Sequence, residues 1–301
     1  MGENIDTYSP SREELCVAAA DGLGNDRPPL RAVVIPPSSR RTPNRTTEFA
    51  LPVLIDHRLP RLLRLVLAAA CASWAAAPAA AGPHLLIEAD SGRIIAQADA
   101  GQPWYPASVT KLMTTYLAFR AMRDGTIDAN TLFRVSDHVV AQPPSKMGFK
   151  AGTQITVDNA IKMLMVRSAN DIAVVVAEGL SGSVEAFVAK MNRTAAELGM
   201  DGTRFANPHG LPDENQVTTA RDMAILARTI VREFPEYELY FRIPAIQIGK
   251  RMIRNHNRLI DRYPGADGMK TGFICSSGFN VVAGAKRDGK RLIAVVFGAY
   301  S

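Results

Sequence analysis

Cysteine is scarce: the 301 residues contain only Cys16, Cys71 and Cys275, and no two are spaced as a C-x-x-C pair. Three thiols cannot build a dense disulfide framework, and without that spacing metal or redox cysteine chemistry is not expected. Cys275 lies in a strand-like, partly apolar run, which predicts a buried structural thiol. Concentrated charge is lacking too. The net charge is +6, but the basic residues stand singly or in pairs such as Lys250-Arg251 and Lys286-Arg287. No aromatic residues alternate with them, so the pattern is a solvated surface and excludes a nucleic-acid groove. There is no internal repeat. What remains is 47% hydrophobic and 21% charged, with ordinary glycine and proline, the composition of a globular chain with a substantial core.

Residues 58–81 carry a basic start (Arg58, Arg61, Arg64), a short apolar run from Leu65 to Ala70, and an alanine-rich end at Ala79-Ala80-Ala81. This is the anatomy of a secretory signal, and the run is too short and alanine-rich for a membrane span. Cleavage near Ala81 and export to the periplasm or cell envelope are expected. The preceding residues 1–57 are rich in Pro, Arg, Ser and Asn and have no sustained apolar period, as in a disordered extension or a misassigned start. No methionine lies between Met1 and Met113, so a later start needs another codon, for instance at Val53 or Leu54. The rival is a cytoplasmic extension behind an uncleaved anchor. Acylation at Cys71 is a weak alternative, because Ala68 stands where a larger aliphatic residue is usual. Arg40-Arg41 is not followed by an apolar run and is no twin-arginine signal.

From His84 the chain reads as two short strands, His84 to Glu88 and Arg93 to Ala96, joined by the turn residues Asp90-Ser91-Gly92. Ser108 to Met122 has helical spacing, with Leu112, Tyr116 and Phe119 on one stripe. Further helices are predicted over 157–166, 171–178, 184–198 and 220–231. Strand-like runs return at Ile246 to Ile253, Phe279 to Ala285 and Arg291 to Phe297. Strands from both ends with helices between them imply an α+β fold: an antiparallel β-sheet of N- and C-terminal strands with a helical cluster inserted.

Three short motifs carry possible chemistry. Ser108-Val109-Thr110-Lys111 places a hydroxyl and an amine one helical turn apart, at a helix N-terminus whose free N–H groups can stabilise an oxyanion. A serine needs a base, and a lysine serves when desolvation or nearby positive charge lowers its pKa. Taken alone, a capping serine with a surface lysine explains the spacing better. Ser168-Ala169-Asn170, in a loop between two predicted helices, offers a hydroxyl for proton relay and an amide for a peptide group. Lys270-Thr271-Gly272 combines a cation, a hydroxyl and a bare backbone position on one strand, suited to an anionic peptide terminus. Each is weak by itself; their order and wide separation give the set its force.

Together the motifs resemble those of the penicillin-binding proteins and β-lactamases. The stretches Pro106 to Thr114, Ser168-Ala169-Asn170-Asp171, Asn207-Pro208-His209-Gly210-Leu211 and Gly268 to Gly272 resemble the low-molecular-mass D-alanyl-D-alanine carboxypeptidases. The resemblance covers residues 84 to about 298, so residues 82–301 are expected to form the catalytic domain, C-terminally truncated relative to that family. It implies removal of the terminal D-alanine from peptidoglycan stem pentapeptides through an acyl-enzyme on Ser108. Lys111 is then the base, Ser168 the proton relay and Asn170 a contact to the acyl-side amide. Lys270, Thr271 and Gly272 bind the substrate's terminal carboxylate and strand, and the Ser108 and Phe273 N–H groups form the oxyanion hole. β-Lactams are expected to acylate Ser108, with no metal or organic cofactor. His209 is read as a structural loop residue. Two rivals are a class A-like β-lactamase, disfavoured because Glu197 to Leu211 lacks a Glu-x-x-Leu-Asn pattern, and an inactive peptidoglycan-binding module.

Overall fold

The structure is a computed structural model and describes residues 82–299. The expected extension over 1–57 and signal over 58–81 lie outside the described residues. Five strands form one antiparallel sheet: β1 (His84–Glu88), β2 (Ile94–Ala98), β7 (Ala266–Ile274), β8 (Gly278–Arg287) and β9 (Lys290–Ala299). Their order is β2-β1-β9-β8-β7, so the first strand lies beside the last, with Leu85 opposite Val295 and Ile87 opposite Ile293. Those four side chains are buried, as are Val282 and Phe297, because alternate residues of each strand share a face and this face is the core side. The sheet from both ends of the chain is therefore as expected.

Helices cover that face. Seven α-helices are described: α1 (Lys111–Arg123), α2 (Asp137–Val140), α3 (Val157–Val166), α4 (Asn170–Ser181), α5 (Val184–Glu197), α6 (Ala220–Glu233) and α7 (Leu259–Arg262). In α6, Met223, Ala224, Ala227 and Ile230 are buried at three- and four-residue spacing, and the helix packs against β1 and β9. Its start is set by Thr219, whose hydroxyl accepts the Asp222 N–H at 3.0 Å. Helix α1 is buried along nearly its whole length and forms the axis of the helical cluster. On it, Phe119 stacks on Tyr237 at 4.6 Å and meets Phe234 and Phe241 edge-on or tilted at 5.6 and 6.0 Å. The last three belong to the end of α6 and the 3-10 segment Pro235–Arg242, so one ring ties the central helix to the chain that leads back to the sheet.

Several local expectations change. The Ser108 turn is not α-helical: Ala107–Thr110 is a 3-10 turn, and α1 begins at Lys111. The run Ile246 to Ile253 is not one strand but a hairpin, β5 (Ala245–Ile248) and β6 (Arg251–Arg254), reversed at Gly249 with φ +59°. Asn170 is not in a loop but opens α4. Two short strands, β3 (Leu132–Arg134) and β4 (Gln154–Thr156), pair where none was predicted. Cys275 is exposed in the β7–β8 turn and disulfide-bonded, not a buried thiol.

Phe119→Ala is expected to destabilise the protein by about 3–5 kcal/mol, the usual loss for emptying a buried ring site. A lowered urea midpoint with an unchanged denaturant slope is the measurement that checks it.

Candidate active site

The 3-10 turn places Ser108 at the N-terminus of α1, and Lys111 follows one turn later. The Lys111 ammonium is fully buried. It donates to Ser108 Oγ at 3.1 Å, to Asn170 Oδ1 at 2.9 Å and to the His209 carbonyl at 2.7 Å. Three donors meet three neutral acceptors, so the ammonium's hydrogen bonds are satisfied without a carboxylate contact. Burial, and then the charge of Lys270, hold the Lys111 pKa well below its ordinary value, opposed by Asp171. Both effects favour the neutral amine relative to a free lysine, and in that form its lone pair can face the Ser108 hydroxyl.

Each acceptor is itself fixed. The Asn170 side-chain amide donates to the Pro143 and Pro144 carbonyls at 3.2 and 3.0 Å, and its backbone N–H to the Ser145 carbonyl at 2.6 Å. Beside it, the buried Asp171 carboxylate accepts N–H groups from Met147, Gly148 and Ile172, all within 3.0 Å. The SxN segment thus holds the 143–148 strap against the site. His209 is carried by a loop in which Asn207 Oδ1 accepts the Gly210 N–H at 2.7 Å and Gln216 Oε1 accepts the Ala206 N–H at 2.6 Å. Gln216 also donates to Thr110 at 2.9 Å, and Thr114 donates to the Pro208 carbonyl at 2.7 Å, binding this loop to α1. A Cβ at Gly210 would lie within 1.8 Å of the Ala107 carbonyl oxygen, so only glycine permits that approach.

Strand β7 closes the other side. Lys270 is buried, opposite Val282, and donates to the Thr271 carbonyl at 2.6 Å. Burial pushes its pKa down to about 7. A Cβ at Gly272 would come within 2.8 Å of Ser108 N and 3.1 Å of Val109 N, so the strand backbone lies directly against the Ser108 turn. The register is kept by Asn280, opposite Gly272, which donates to the Tyr105 and Pro106 carbonyls at 2.9 and 3.0 Å. The Phe273 ring packs tilted on Phe279 with centres 4.5 Å apart, and Thr271 is half-buried. Ser168 is buried at 7% exposure with φ +60°, and its hydroxyl has no hydrogen-bond partner among the described residues.

The structure therefore brings Ser108, Lys111 and Asn170 into one hydrogen-bonded cluster and lays Gly272 against it. Lys270 reaches Lys111 through its charge alone. Sequence reasoning missed Asp171, Gln216, Asn280 and the His209 carbonyl as supports. Asp171 and His209 stand inside motif stretches that could have flagged them; Gln216 and Asn280 give no local signal. The imidazole of His209 accepts the Leu211 N–H at 3.2 Å, and burial, then the charge of Lys111, push its pKa down to about 3. A neutral acceptor in a loop is a structural role.

The Peptidase_S11 family, described as D-alanyl-D-alanine carboxypeptidase, matches residues 71–301. The chain belongs to this family. Among curated carboxypeptidases, DacF of Bacillus subtilis is 39% identical over 221 residues, covering 71% of this chain and 56% of its own length. DacA of Haemophilus influenzae is 36% identical over 220 residues, with the same two shares of 71% and 56%. The chain thus spans 56% of the length of these relatives. The solved penicillin-binding protein 5 of Haemophilus influenzae is 35% identical with a TM-score of 0.71, covering 73% of this chain and 66% of that one. Penicillin-binding protein D2 of Listeria monocytogenes, solved in an ampicillin-bound form, is 26% identical with a TM-score of 0.64, covering 73% of this chain and 90% of that one. These likenesses agree with the α+β fold of the family, a mixed sheet-and-helix domain with the helices between the terminal strands.

Because the folded loop keeps His209 neutral down to about pH 3 while an unfolded imidazole protonates near its ordinary 6.5, protons favour the unfolded chain between those values. His209 therefore costs stability as pH falls from 6.5 and nothing above it. In His209→Gln, the loss of unfolding free energy between pH 6 and 4 is expected to flatten by about 1 kcal/mol per pH unit. Urea titrations at stepped pH check this; an unchanged slope counts against a buried neutral ring.

Proposed function

We propose that this chain removes the C-terminal D-alanine from peptidoglycan stem pentapeptides through an acyl-enzyme on Ser108, in cell-wall remodelling, and that β-lactams acylate the same serine. The observation that carries this reading is the buried Lys111 amine bonded to Ser108 Oγ at 3.1 Å, in a chain of the carboxypeptidase family. The ampicillin-bound relative supports the β-lactam part. We place this activity in the periplasm or cell envelope, to which the signal-like residues 58–81 would deliver residues 82–301 as the catalytic domain.

The mechanism follows from the geometry. The Lys111 amine takes the Ser108 Oγ proton as Oγ bonds to the carbonyl carbon of the penultimate D-alanine. The carbonyl oxygen gains the charge and is met by the N–H groups of Ser108 and Phe273, the former at a first turn where no intrahelical partner exists. Collapse breaks the C–N bond, and the proton held by Lys111 passes to the leaving amine, with the Ser168 hydroxyl as relay. D-Alanine leaves, and the peptide remains as an ester on Ser108. Water then adds with Lys111 again taking the proton, and collapse returns the Ser108 hydroxyl. Asn170 fixes the Lys111 side of the site and keeps one Oδ1 lone pair for an N–H of the acyl-side peptide group, its two amide donors being held by Pro143 and Pro144, and Lys270, Thr271 and Gly272 seat the terminal carboxylate and the adjoining backbone.

The β-lactamase alternative draws no support from the carboxylates. Glu197 lies on the surface paired with Arg120 at 3.1 Å, and Asp171 is committed to backbone N–H groups. Neither is placed as a base for deacylating water, so slow release of a β-lactam is expected.

Incubation with a penicillin is expected to add one drug mass to Ser108, seen by mass spectrometry, and the adduct is expected to vanish in Ser108→Ala. Lys111→Arg, which cannot deprotonate, is expected to lower the acylation rate by about 10²–10⁴-fold. In the wild type the acid limb of the acylation pH profile is expected well below the ordinary lysine range. Absence of a Ser108 adduct in the wild type overturns the proposal.

A further inference from the structure

Positive charge without a counter-ion gathers beside Ser168. Arg167 follows the end of α3, donating its N–H to the Met163 carbonyl at 3.1 Å, and its own carbonyl accepts from Ser145 Oγ at 3.2 Å. The next residue is Ser168 in its left-handed turn, so the Arg167 guanidinium springs from the base of the SxN motif. The loop after β6 lies against it: the His256 N–H reaches the Val166 carbonyl at 3.3 Å, and Arg167 Nη1 donates to His256 Nε2 at 3.2 Å. The imidazole must accept this bond, which requires its neutral form. Although His256 as a whole is exposed, crowding of the ring, then the charges of Lys270, Arg167 and Arg258, push its pKa down to about 4.

Arg167 touches this neutral imidazole directly, the charges of Lys270 and Arg258 also act on it, and Lys270 acts on Lys111 as well. None of Arg167, Arg258 or Lys270 forms an ion pair with an acidic residue among the described residues. The near carboxylate, Asp171, is saturated by backbone N–H groups. A guanidinium carries five N–H donors, and His256 takes a bond from Nη1 alone, so the fork keeps donors for a planar anion. The bond to His256 limits its rotation without spending its charge.

We propose that Arg167, steered by His256, is a specificity residue that receives the terminal carboxylate of the substrate, alongside Lys270 and Thr271. The fixed anion of a D-alanyl peptide is that carboxylate, and a penicillin carries an equivalent one. This assignment rests on the carboxypeptidase reading above. Arg167 donates no bond to Ser108 or Lys111, so its loss acts on binding of the anion and leaves the acyl-transfer cluster in place.

The test uses two thioester donors with one acyl group: an N-acyl-D-alanyl thioglycolate, which keeps the carboxylate, and its methyl ester, which does not. In Arg167→Gln, kcat/KM for the carboxylate donor is expected to fall about tenfold or more, as for a lost charge-assisted hydrogen bond. The change is expected mainly in KM, with less than twofold for the methyl ester. Arg167→Lys is expected to recover part of the loss, and the wild-type preference for the carboxylate donor is expected to shrink with added salt. Equal losses on both donors, or none on either, overturn the proposal while leaving the carboxypeptidase reading standing. Failure of the wild type to turn over either donor, with no Ser108 adduct, sinks that reading and this proposal with it.

Discussion

One buried ammonium organises this molecule. Withdrawing a lysine from water costs several kcal/mol unless its donors are met, and Lys111 is met by acceptors on Ser108, Asn170 and His209, the last two 59 and 98 residues away in sequence. Those bonds are possible only when the α3–α4 junction and the 206–211 loop both close on the start of α1. Each neighbour is then fixed by its own contacts: Asn170 by the 143–145 strap, the His209 loop by Asn207, Gln216 and Thr114. Since all three acceptors are neutral, the site supplies hydrogen bonds without a directly opposing charge. Desolvation outweighs the opposing charge of Asp171, and the Lys111 pKa falls below its ordinary value.

The sheet contributes the other half. Strand β7 approaches the Ser108 turn closely enough that a single methyl at Gly272 would collide with Ser108 N, an approach held by Asn280 bonds to Tyr105 and Pro106. The Trp104 indole, donating to the Ser277 carbonyl at 3.1 Å, ties the same segment to the β7–β8 turn. The charge of Lys270 adds to burial in lowering the Lys111 pKa, and Lys270, Arg167 and Arg258 have no acidic ion-pair partner among the described residues.

Long apolar periodicities survived the passage from sequence to structure. The predicted helices over 157–166, 184–198 and 220–231 match α3, α5 and α6 to within two residues at each end, because each presents an uninterrupted stripe to the core. Errors fall where context overrides local pattern. Ile246 to Ile253 alternates well enough for one strand, yet Gly249 in a left-handed conformation folds it into a hairpin. Asn170 has the composition of a loop residue, but its backbone is recruited into α4 while its side chain spans to Lys111. The pairs β3 and β4, three residues each, are too short to carry a period.

The sequence by itself determined which chemical groups were present and in what order: a serine and lysine one turn apart, a Ser-x-Asn, a Lys-Thr-Gly strand, and terminal strands that could share a sheet. Spacing along a helix is a local property, so that much is visible in four residues. Only the tertiary structure decided that Lys111 is buried and not a surface lysine, that its partners are neutral, and that Arg167 meets His256 across 89 residues. Burial and field depend on everything brought near a group, and no short stretch of sequence contains them.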